Sequence, residues 1–296
     1  MADIPLRPFA DTGLNVPVLG YGAGQIGSSR IPERDAERLL NLVLDLGLTL
    51  IDTARGYGLS ESRLGQYLGH RRHEYVLSTK VGYGVAGQPD WTYGAVQAGV
   101  DEALRTLRTE WIDIVHLHSC PLETLRQGEV MDALDHARQA GKIRAAAYSG
   151  ENEPLAYAVA SGRFQSVQAS INLADQRSLE AVLPQAQARG LGVIAKRPVA
   201  NAPWRFDERP YGHYAEEYWY RWRTMALDPR GLDWQEVALR FAAYWPGVHT
   251  CIVGTTSVEH LRHNADLVGR GPLPSDQVEE IRRAFKAHDE DWVGLT

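Results

Sequence analysis

The sequence predicts a single (β/α)8 (TIM) barrel domain over residues 1–296. Eight short apolar runs of strand character alternate with segments in which apolar residues recur at helical spacing. No linker or change of composition divides the chain, and its length fits the ~250 residues of such a barrel plus additions. A doubly wound open sheet is the alternative fold, but the loop sequence GYGAGQIG after the first strand does not have the GxGxxG spacing expected there.

Turn-forming residues divide the first twenty positions into short pieces. Asp11, Gly13 and Pro17 separate apolar residues in this stretch, which predicts an N-terminal β-hairpin before the first barrel strand. A helix then begins near Pro32, because proline suits a first helical turn, and it ends before Gly47. The domain therefore begins with a hairpin that is an addition to the barrel.

The remaining elements continue the alternation in order, each strand being apolar and each helix amphipathic. The predicted barrel strands are residues 18–21, 48–52, 75–80, 112–118, 143–149, 166–170, 192–196 and 249–253. The predicted helices are residues 32–46, 61–68, 93–107, 123–139, 154–161, 179–189, 233–244 and 257–267. A long irregular loop at 197–232 follows the seventh strand.

Composition narrows the class of protein. The formal net charge is -6, which gives no global electrostatic support for binding nucleic acid. No apolar run approaches the ~20 residues of a membrane helix, and the N-terminus lacks the pattern of a secretory signal. The only two cysteines, Cys120 and Cys251, are far apart in sequence. We therefore expect a cytoplasmic protein without nucleic-acid or membrane partners.

Polar residues end three consecutive predicted strands. These are Asp52, Lys80 and His118. Alternate side chains of a strand share a face, and inward side chains at the C-terminal strand ends form the active site of a (β/α)8 barrel. If the three residues face inward, they converge at the barrel mouth, where the glycine-flanked Tyr57 reaches over from the loop after Asp52.

This combination has a chemical interpretation. An ammonium group beside a phenol stabilises the phenolate, so Lys80 makes Tyr57 a usable proton donor to a carbonyl oxygen that gains charge. Asp52 keeps the partly desolvated ammonium charged, and His118 can hold the oxygen by hydrogen bonding. None of these groups carries a hydride, so a reduction requires a cofactor.

Several segments, in order, resemble the aldo-keto reductase superfamily from about residue 13 to residue 285. They are LIDTARGYG, SESRLG, LSTKVG, WIDIVHLH, KIRAAAYSG, SVQASIN and IVGTTSVEHLRHN. The resemblance implies a catalytic tetrad of Asp52, Tyr57, Lys80 and His118. The family histidine stands five residues after the strand aspartate, here Asp113, which selects His118. The resemblance also implies a small-molecule carbonyl or alcohol substrate and NADP(H), or less often NAD(H), bound without a Rossmann domain.

The same resemblance implies a set of cofactor contacts. Ser149 and Gln168 match residues that bind the nicotinamide amide, although the usual neighbouring Asn is replaced by Gly150. Asn264 matches a residue at the adenine. The expected cofactor-binding residues are Gly22, Ala23, Asp52, Ser149, Gly150, Gln168, Lys196, Arg197, Gly254, Thr255, Thr256, Ser257, His260 and Asn264.

Three departures from the family pattern bear on specificity. Lys196 or Arg197 stands where many members have an aromatic residue that stacks on the nicotinamide. Where members that prefer NADP have Lys or Arg for the 2'-phosphate, this chain has Gly254, Thr256 and His260, with only Arg262 nearby. Ser119 and Cys120 replace a substrate-facing aromatic after the histidine.

The sequence leaves two other functions open. His116 and His118 form an HxH pair, which is a partial signature of a metal-dependent barrel hydrolase, but the only other histidine candidate, His249, lies at the wrong end of its strand. We interpret His116 as a hydrogen-bonded residue of the barrel interior. A cofactor-binding regulatory subunit with little turnover is the second alternative.

The loop at 197–232 has an unusual density of aromatic residues. They are Trp204, Phe206, Tyr211, Tyr214, Tyr218, Trp219, Tyr220 and Trp222. Such residues above a barrel mouth predict one wall of a substrate-binding pocket. The alternative is a helix over 214–225 whose aromatic rings pack on the barrel. Trp91, after the third strand, is a second candidate for the pocket.

Overall fold

A computed structural model describes residues 4–295. The strands in chain order are β1 Leu6–Pro8, β2 Asn15–Pro17, β3 Leu19–Gly22, β4 Leu50–Asp52, β5 Val76–Val81, β6 Ile112–His118, β7 Ile143–Ser149, β8 Ser166–Ser170, β9 Gly192–Lys196 and β10 Thr250–Val253. The first two form an antiparallel hairpin, and β3 to β10 pair in parallel around a closed barrel. The predicted (β/α)8 barrel with an N-terminal hairpin is confirmed.

Helices connect the strands and cover the outside of the barrel. In chain order they are α1 Glu33–Asp45, α2 Ser60–Leu68, α3 Tyr93–Thr106, α4 Leu122–Gln127, α5 Glu129–Gln139, α6 Asn152–Ser161, α7 Arg177–Ala181, α8 Leu183–Ala188, α9 Glu216–Met225, α10 Trp234–Ala243, α11 Val258–Gly269 and α12 Ser275–His288. None of the helices within residues 4–295 combines the length and the apolar character needed to cross a bilayer.

The hairpin closes the floor of the barrel. Phe9, Leu14 and Val16 are buried in one cluster with the inward side chains of the strands, among them Leu50 and Ile114. A Cβ on Gly192 would lie only 2.5 Å from the Phe9 ring, so the missing side chain at this position makes room for the aromatic ring. The opposite, C-terminal ends of the strands are left open for a site.

Two predicted helices are each divided. The helix predicted at 123–139 is α4 and α5, separated by Gly128, whose φ of +90° interrupts helical geometry. The helix predicted at 179–189 is α7 and α8, separated at Val182. We did not predict α12, and the strand predicted from residue 48 begins at Leu50. Leu48 packs in the cluster between barrel and helices, whereas Leu50 faces the interior.

Candidate active site

Three strand ends bring the predicted polar residues to the barrel mouth. Asp52 ends β4, Lys80 is the penultimate residue of β5 and His118 ends β6. Asp52 and Lys80 are buried at 2% exposure, and all three side chains line one cavity. The alternation of inward and outward side chains therefore places their polar atoms on the interior side, as in other barrels of this class.

The loop after β4 brings Tyr57 to the same cavity. Its backbone lies directly against Gly27, where a Cβ would come within 1.7 Å of the Tyr57 carbonyl oxygen. The Leu59 amide donates a hydrogen bond of 2.9 Å to the Gly27 carbonyl. Gly58, between Tyr57 and Leu59 in the chain, has a φ of +54°. Glycines at 27 and 58 thus permit the backbone path that turns the Tyr57 ring into the mouth.

Lys80 and Asp52 form a buried ion pair. The Lys80 Nζ donates to Asp52 Oδ2 at 2.5 Å and to the Thr53 carbonyl at 2.8 Å. Burial opposes the charged form of Lys80, but the Asp52 carboxylate and Tyr57 outweigh it, so the pKa of Lys80 lies above its ordinary value. Burial also opposes ionised Asp52, yet Lys80 holds the pKa of that carboxyl below its usual range. The pair is therefore charged at neutral pH.

The Lys80 ammonium lies near the Tyr57 ring. Its Nζ lies 5.1 Å from the centroid of the Tyr57 ring. The Tyr57 ring meets His118 edge to face, with centroids 6.0 Å apart. A positive charge, a phenol and an imidazole therefore border the same part of the cavity.

A chain of hydrogen bonds continues from Asp52 along the C-terminal ends of the neighbouring strands. Ser78 Oγ donates to Asp52 Oδ1 at 2.7 Å, and Gln168 Nε2 donates to the same oxygen at 3.0 Å. Ser149 Oγ in turn donates to Gln168 Oε1 at 2.8 Å. The parallel register sets this order, because Ser149 pairs with Gln168 on one side and with His118 on the other.

The two histidines of β6 have different surroundings. Burial lowers the pKa of His118 to about 3, and Lys80 adds to this effect, so His118 is a neutral imidazole at physiological pH. Burial likewise lowers the pKa of His116 to about 3. The Nε2 of His116 lies 3.1 Å from Ser78 Oγ, and the residue does not line the cavity. His116 is the interior, hydrogen-bonded residue that we predicted.

The cavity has a volume of about 1010 Å³ and extends from the strand ends to the N-terminus of α11. Most residues expected to contact a cofactor lie on its wall. These are Gly22, Asp52, Ser149, Gln168, Lys196, Arg197, Gly254, Thr255, Thr256, Ser257, His260 and Asn264.

Two residues expected at the cofactor are not on the cavity wall. Ala23 is buried, and its amide donates to the Asp52 carbonyl at 2.8 Å. Gly150 lies behind the wall, where a Cβ would come within 2.5 Å of the Tyr148 hydroxyl. Tyr148 fills the space beside the strand end, so residue 150 contributes room for that phenol rather than a side chain to the cavity.

The cavity fits an elongated anionic ligand. Gly22, Gly24 and Gly254 line it without side chains, so a ligand can approach the backbone closely. Residues 254–257 lead into α11, a 12-residue helix whose N-terminus carries the positive end of the helix dipole. The glycine-lined wall and the helix N-terminus suit the phosphates of a nicotinamide dinucleotide. The pair formed by Ser149 and the Gln168 amide suits its carboxamide.

The residues after β9 line the cavity with charge. Lys196 Nζ lies 3.1 Å from Glu151 Oε1, and burial lowers the pKa of Lys196 although Glu151 opposes the shift. Arg197 donates to the Leu295 carbonyl and to the Tyr214 hydroxyl. Both cations border the cavity at the position where the sequence resemblance would place an aromatic ring.

The expected aromatic wall is only partly present. Tyr214 lines the cavity, together with the polar residues Asn201, Arg205 and His213. Residues beyond 214 form α9, as in the alternative prediction, and Tyr218 is completely buried there. The tryptophans pack on other rings: Trp204 stacks on Trp234 at 6.4 Å between centroids, Trp222 meets Trp234 at 5.3 Å, and Trp91 meets Tyr83 at 5.6 Å. Tyr211 and Tyr220 are exposed.

Several residues of this region were not predicted from the sequence, and three of them bear on the proposed chemistry. Tyr83 contacts His118 through a hydrogen bond of 2.7 Å to Nδ1, and Arg205 and Gln235 line the cavity from distant loops. Tyr83 had a signal in the sequence, because it is flanked by glycines three residues after Lys80, as Tyr57 is flanked five residues after Asp52. The other two lie on segments whose path over the mouth has no local signature.

The geometry does not support a metal site. Within residues 4–295 no group of three or more His, Cys, Asp or Glu side chains is arranged to hold a metal ion. His249 lies just before β10, where its Nδ1 accepts a hydrogen bond of 3.1 Å from the Val193 amide at the far end of the barrel. The His116/His118 pair therefore lacks the ligands that a hydrolytic metal centre needs.

Proteins of similar sequence include two dehydrogenases. The chain is 28% identical over 285 residues to L-galactose dehydrogenase of Arabidopsis thaliana, covering 90% of this chain and 89% of that protein. It is 26% identical over 298 residues to D-threo-aldose 1-dehydrogenase of a Pseudomonas species, covering 87% and 91%.

Solved structures give the same result. The holo form of aldo-keto reductase AKR11C1 from Bacillus halodurans superposes with a TM-score of 0.82 at 26% identity, over 95% of this chain and 96% of that chain. A putative aldo-keto reductase of Pseudomonas aeruginosa superposes with a TM-score of 0.72 at 30% identity, over 90% and 94%. The model of the Aldo/keto reductase family matches residues 18–286. The chain therefore belongs to the aldo/keto reductase family, whose members are oxidoreductases that use nicotinamide cofactors.

Proposed function

We propose that the protein reduces an aldehyde or ketone to the alcohol, or catalyses the reverse reaction, with Tyr57 as the proton donor and NADP(H) as the preferred cofactor. The observation that carries the assignment of Tyr57 is the buried Lys80 ammonium, held by Asp52 and placed 5.1 Å from the phenol ring. When bound, the reduced nicotinamide supplies the hydride.

The roles of the four polar residues follow from their contacts. Tyr57 gives its phenolic proton to the substrate oxygen as that oxygen gains charge, and Lys80 stabilises the phenolate that remains. Asp52 keeps Lys80 protonated and oriented through the 2.5 Å contact. The neutral imidazole of His118 binds the carbonyl oxygen as a hydrogen-bond donor and so positions it beside the Tyr57 hydroxyl.

The wall of the cavity favours a hydroxylated substrate. Beyond the four residues above, the polar residues that line the cavity include Ser119, Asn201, His213 and Tyr214, whose side chains can form hydrogen bonds with a ligand. Two relatives are named for sugars, L-galactose and a D-threo-aldose. We propose that the substrate is a polyhydroxylated carbonyl compound or the corresponding sugar alcohol or hemiacetal.

Comparing carbonyl substrates that differ in hydroxyl content tests this assignment. We expect kcat/KM for glyceraldehyde to exceed that for propanal by about 30-fold, because each of its two hydroxyls contributes about 1 kcal/mol when it pairs with a polar side chain of the cavity. Initial rates of NADPH oxidation measure both substrates, and NADP⁺ reduction with L-galactose extends the series to the reverse reaction. Equal or higher kcat/KM for propanal would contradict a polar substrate.

Arg205 is our candidate for the cation that recognises NADP(H). Its guanidinium lines the cavity and has no ion pair or hydrogen bond within the described part of the chain. Trp204 beside it stacks on Trp234, whose neighbours Asp233 and Gln235 line the cavity together with His260 and Asn264. Arg205 therefore approaches the end of the cavity expected to hold the adenosine. Arg262, the candidate from sequence, is exposed on α11 and does not line the cavity.

Substituting each arginine separately tests the cofactor preference. We expect Arg205→Gln to weaken NADPH binding by about ten-fold or more and NADH binding much less, because a charge-assisted bond to the 2'-phosphate is lost. Titration calorimetry with both reduced cofactors measures the effect. Arg262→Gln serves as the matched control and should leave both dissociation constants unchanged. A wild-type protein that binds NADH more tightly than NADPH would overturn the preference.

A further inference from the structure

A second tyrosine contacts the imidazole of His118. The hydroxyl oxygen of Tyr83, on the loop after β5, lies 2.7 Å from His118 Nδ1. The two rings are nearly parallel, with an interplanar angle of 24° and centroids 5.5 Å apart. Tyr57 meets the same imidazole edge to face. His118 thus lies between two tyrosines, only one of which has a role in the proposed reaction.

The direction of this hydrogen bond follows from the available donors and acceptors. A neutral imidazole carries one proton, which lies on either Nδ1 or Nε2. The pKa of His118 is about 3, so the ring is neutral at physiological pH. Within residues 4–295 the Tyr83 hydroxyl contacts no other hydrogen-bonding partner. If Nδ1–H donated to the phenol oxygen, the phenolic proton would have no acceptor among the described residues. Donation of that proton to Nδ1 avoids this and leaves the imidazole proton on Nε2.

The position of Tyr83 is built into the loop. Trp91 packs against Gly82, where a Cβ would come within 2.1 Å of the indole ring. The Trp91 amide donates to the Gly82 carbonyl at 2.7 Å, and its ring meets Tyr83 with centroids 5.6 Å apart. A bulky side chain at residue 82 would displace the indole and with it the support of Tyr83. The phenol is therefore held between Trp91 and His118.

We propose that Tyr83 is a positioning residue that donates its proton to His118 Nδ1 and so fixes the imidazole as the Nε2–H tautomer. Nε2 has no hydrogen-bond partner among the described residues, and His118 borders the cavity. The Nε2 proton is then available to the substrate oxygen. The opposite tautomer would present a lone pair to that oxygen and repel it. This inference rests on the proposed role of His118 as the group that binds the oxygen.

The chain contains a matched control for this pair. On the surface, the Tyr93 hydroxyl lies 2.7 Å from His136 Nδ1, and the two rings are 5.6 Å apart between centroids. Tyr93 and His136 belong to α3 and α5, outside the cavity. Tyr83→Phe and Tyr93→Phe therefore remove the same atom from the same kind of pair, once beside the site and once away from it.

Two measurements on these variants test the proposal. Long-range ¹H–¹⁵N spectra show which ring nitrogen of each histidine is protonated, and the His118→Asn spectrum assigns the His118 signals. We expect a protonated Nε2 in the wild type and a mixture of tautomers in Tyr83→Phe. We also expect Tyr83→Phe to lower kcat about 5- to 30-fold, as for loss of one orienting hydrogen bond, without a change in the dissociation constant of NADPH. Tyr93→Phe should alter only the His136 signals.

The outcomes separate this inference from the proposed function. A protonated Nδ1 of His118 in the wild type, or full kcat in Tyr83→Phe, would overturn the role of Tyr83 even if Tyr57 proved essential. Full turnover in Tyr57→Phe would overturn the proton-transfer assignment, and the spectra would still decide the tautomer. A change in NADPH affinity in Tyr83→Phe would show a structural role in cofactor binding and would also contradict the proposal.

Discussion

We expect Tyr57→Phe to lower kcat by a factor of about 10² to 10⁴, the range found when a general acid is removed. The substitution keeps the ring that packs beside His118 and that faces the Lys80 ammonium, and it removes only the proton that the reaction needs. Cofactor affinity should not change, because the hydroxyl is assigned to the substrate oxygen. Steady-state rates of NADPH oxidation and calorimetric titration with NADPH measure the two effects.

Tyr67→Phe is the matched control for this experiment. Tyr67 lies on α2 just after the Tyr57 loop, and its hydroxyl donates to Glu33 Oε2 at 2.8 Å away from the cavity. Removing that phenol should leave kcat unchanged. Turnover by Tyr57→Phe within two- to three-fold of wild type would assign the proton to another donor.

The second large effect is on stability. Lys80→Met should lower the free energy of unfolding at pH 7 by about 3–5 kcal/mol, because it leaves the Asp52 carboxylate buried without its counter-charge. The double variant Lys80→Met/Asp52→Asn should recover part of that loss, since the remaining side chains are neutral. Urea unfolding followed by circular dichroism measures each variant.

The dependence on pH gives this prediction a sign. In the wild type the pKa of Asp52 is lower in the folded than in the unfolded protein, so its contribution is present above the ordinary value and is lost as the pH falls. In Lys80→Met the ammonium no longer opposes the effect of burial, and only weaker influences such as the hydrogen bonds from Ser78 and Gln168 remain, so the pKa of Asp52 rises. The folded variant then binds more protons than the unfolded chain, and its deficit in stability should shrink as the pH falls from 7 to 5. A deficit that grows over this range would refute the ion-pair interpretation.

A surface ion pair provides the comparison. Lys142 Nζ lies 2.6 Å from Asp101 Oδ1, with side chains 34% and 48% exposed. Lys142→Met should change stability by less than about 1 kcal/mol, because water solvates both charges when the pair is broken. A similar loss in both lysine variants would mean that the cost at Lys80 does not come from burial.

Elements that are specified by their own local sequence were predicted more accurately than features that depend on contacts distant in sequence. The strands at Ile112–His118 and Gly192–Lys196 were predicted to the residue, because apolar runs bounded by turns specify them. The break in the helix at Gly128 depends on a left-handed backbone conformation that glycine permits but does not require. Predicting it needs the positions of α4 and α5 against their neighbours.

The residues of the site also differ in how well the sequence predicts their positions. Strand alternation specifies which side chains share a face, and it predicted that Asp52, Lys80 and His118 face the barrel mouth. All three line the cavity. Tyr83 and Arg205 were missed because their contacts depend on how two loops fold over the mouth. The family position of Gly150 implies a cofactor contact, and that contact stays a prediction; the sequence did not indicate that Tyr148 occupies the adjacent space and separates Gly150 from the cavity wall.

The hairpin beneath the barrel has a consequence for kinetics. Phe9 and its neighbours fill the barrel at the N-terminal ends of the strands, so both reactants reach the polar residues from the C-terminal side. We therefore expect sequential binding, in which the reactant that lies deeper associates first and dissociates last.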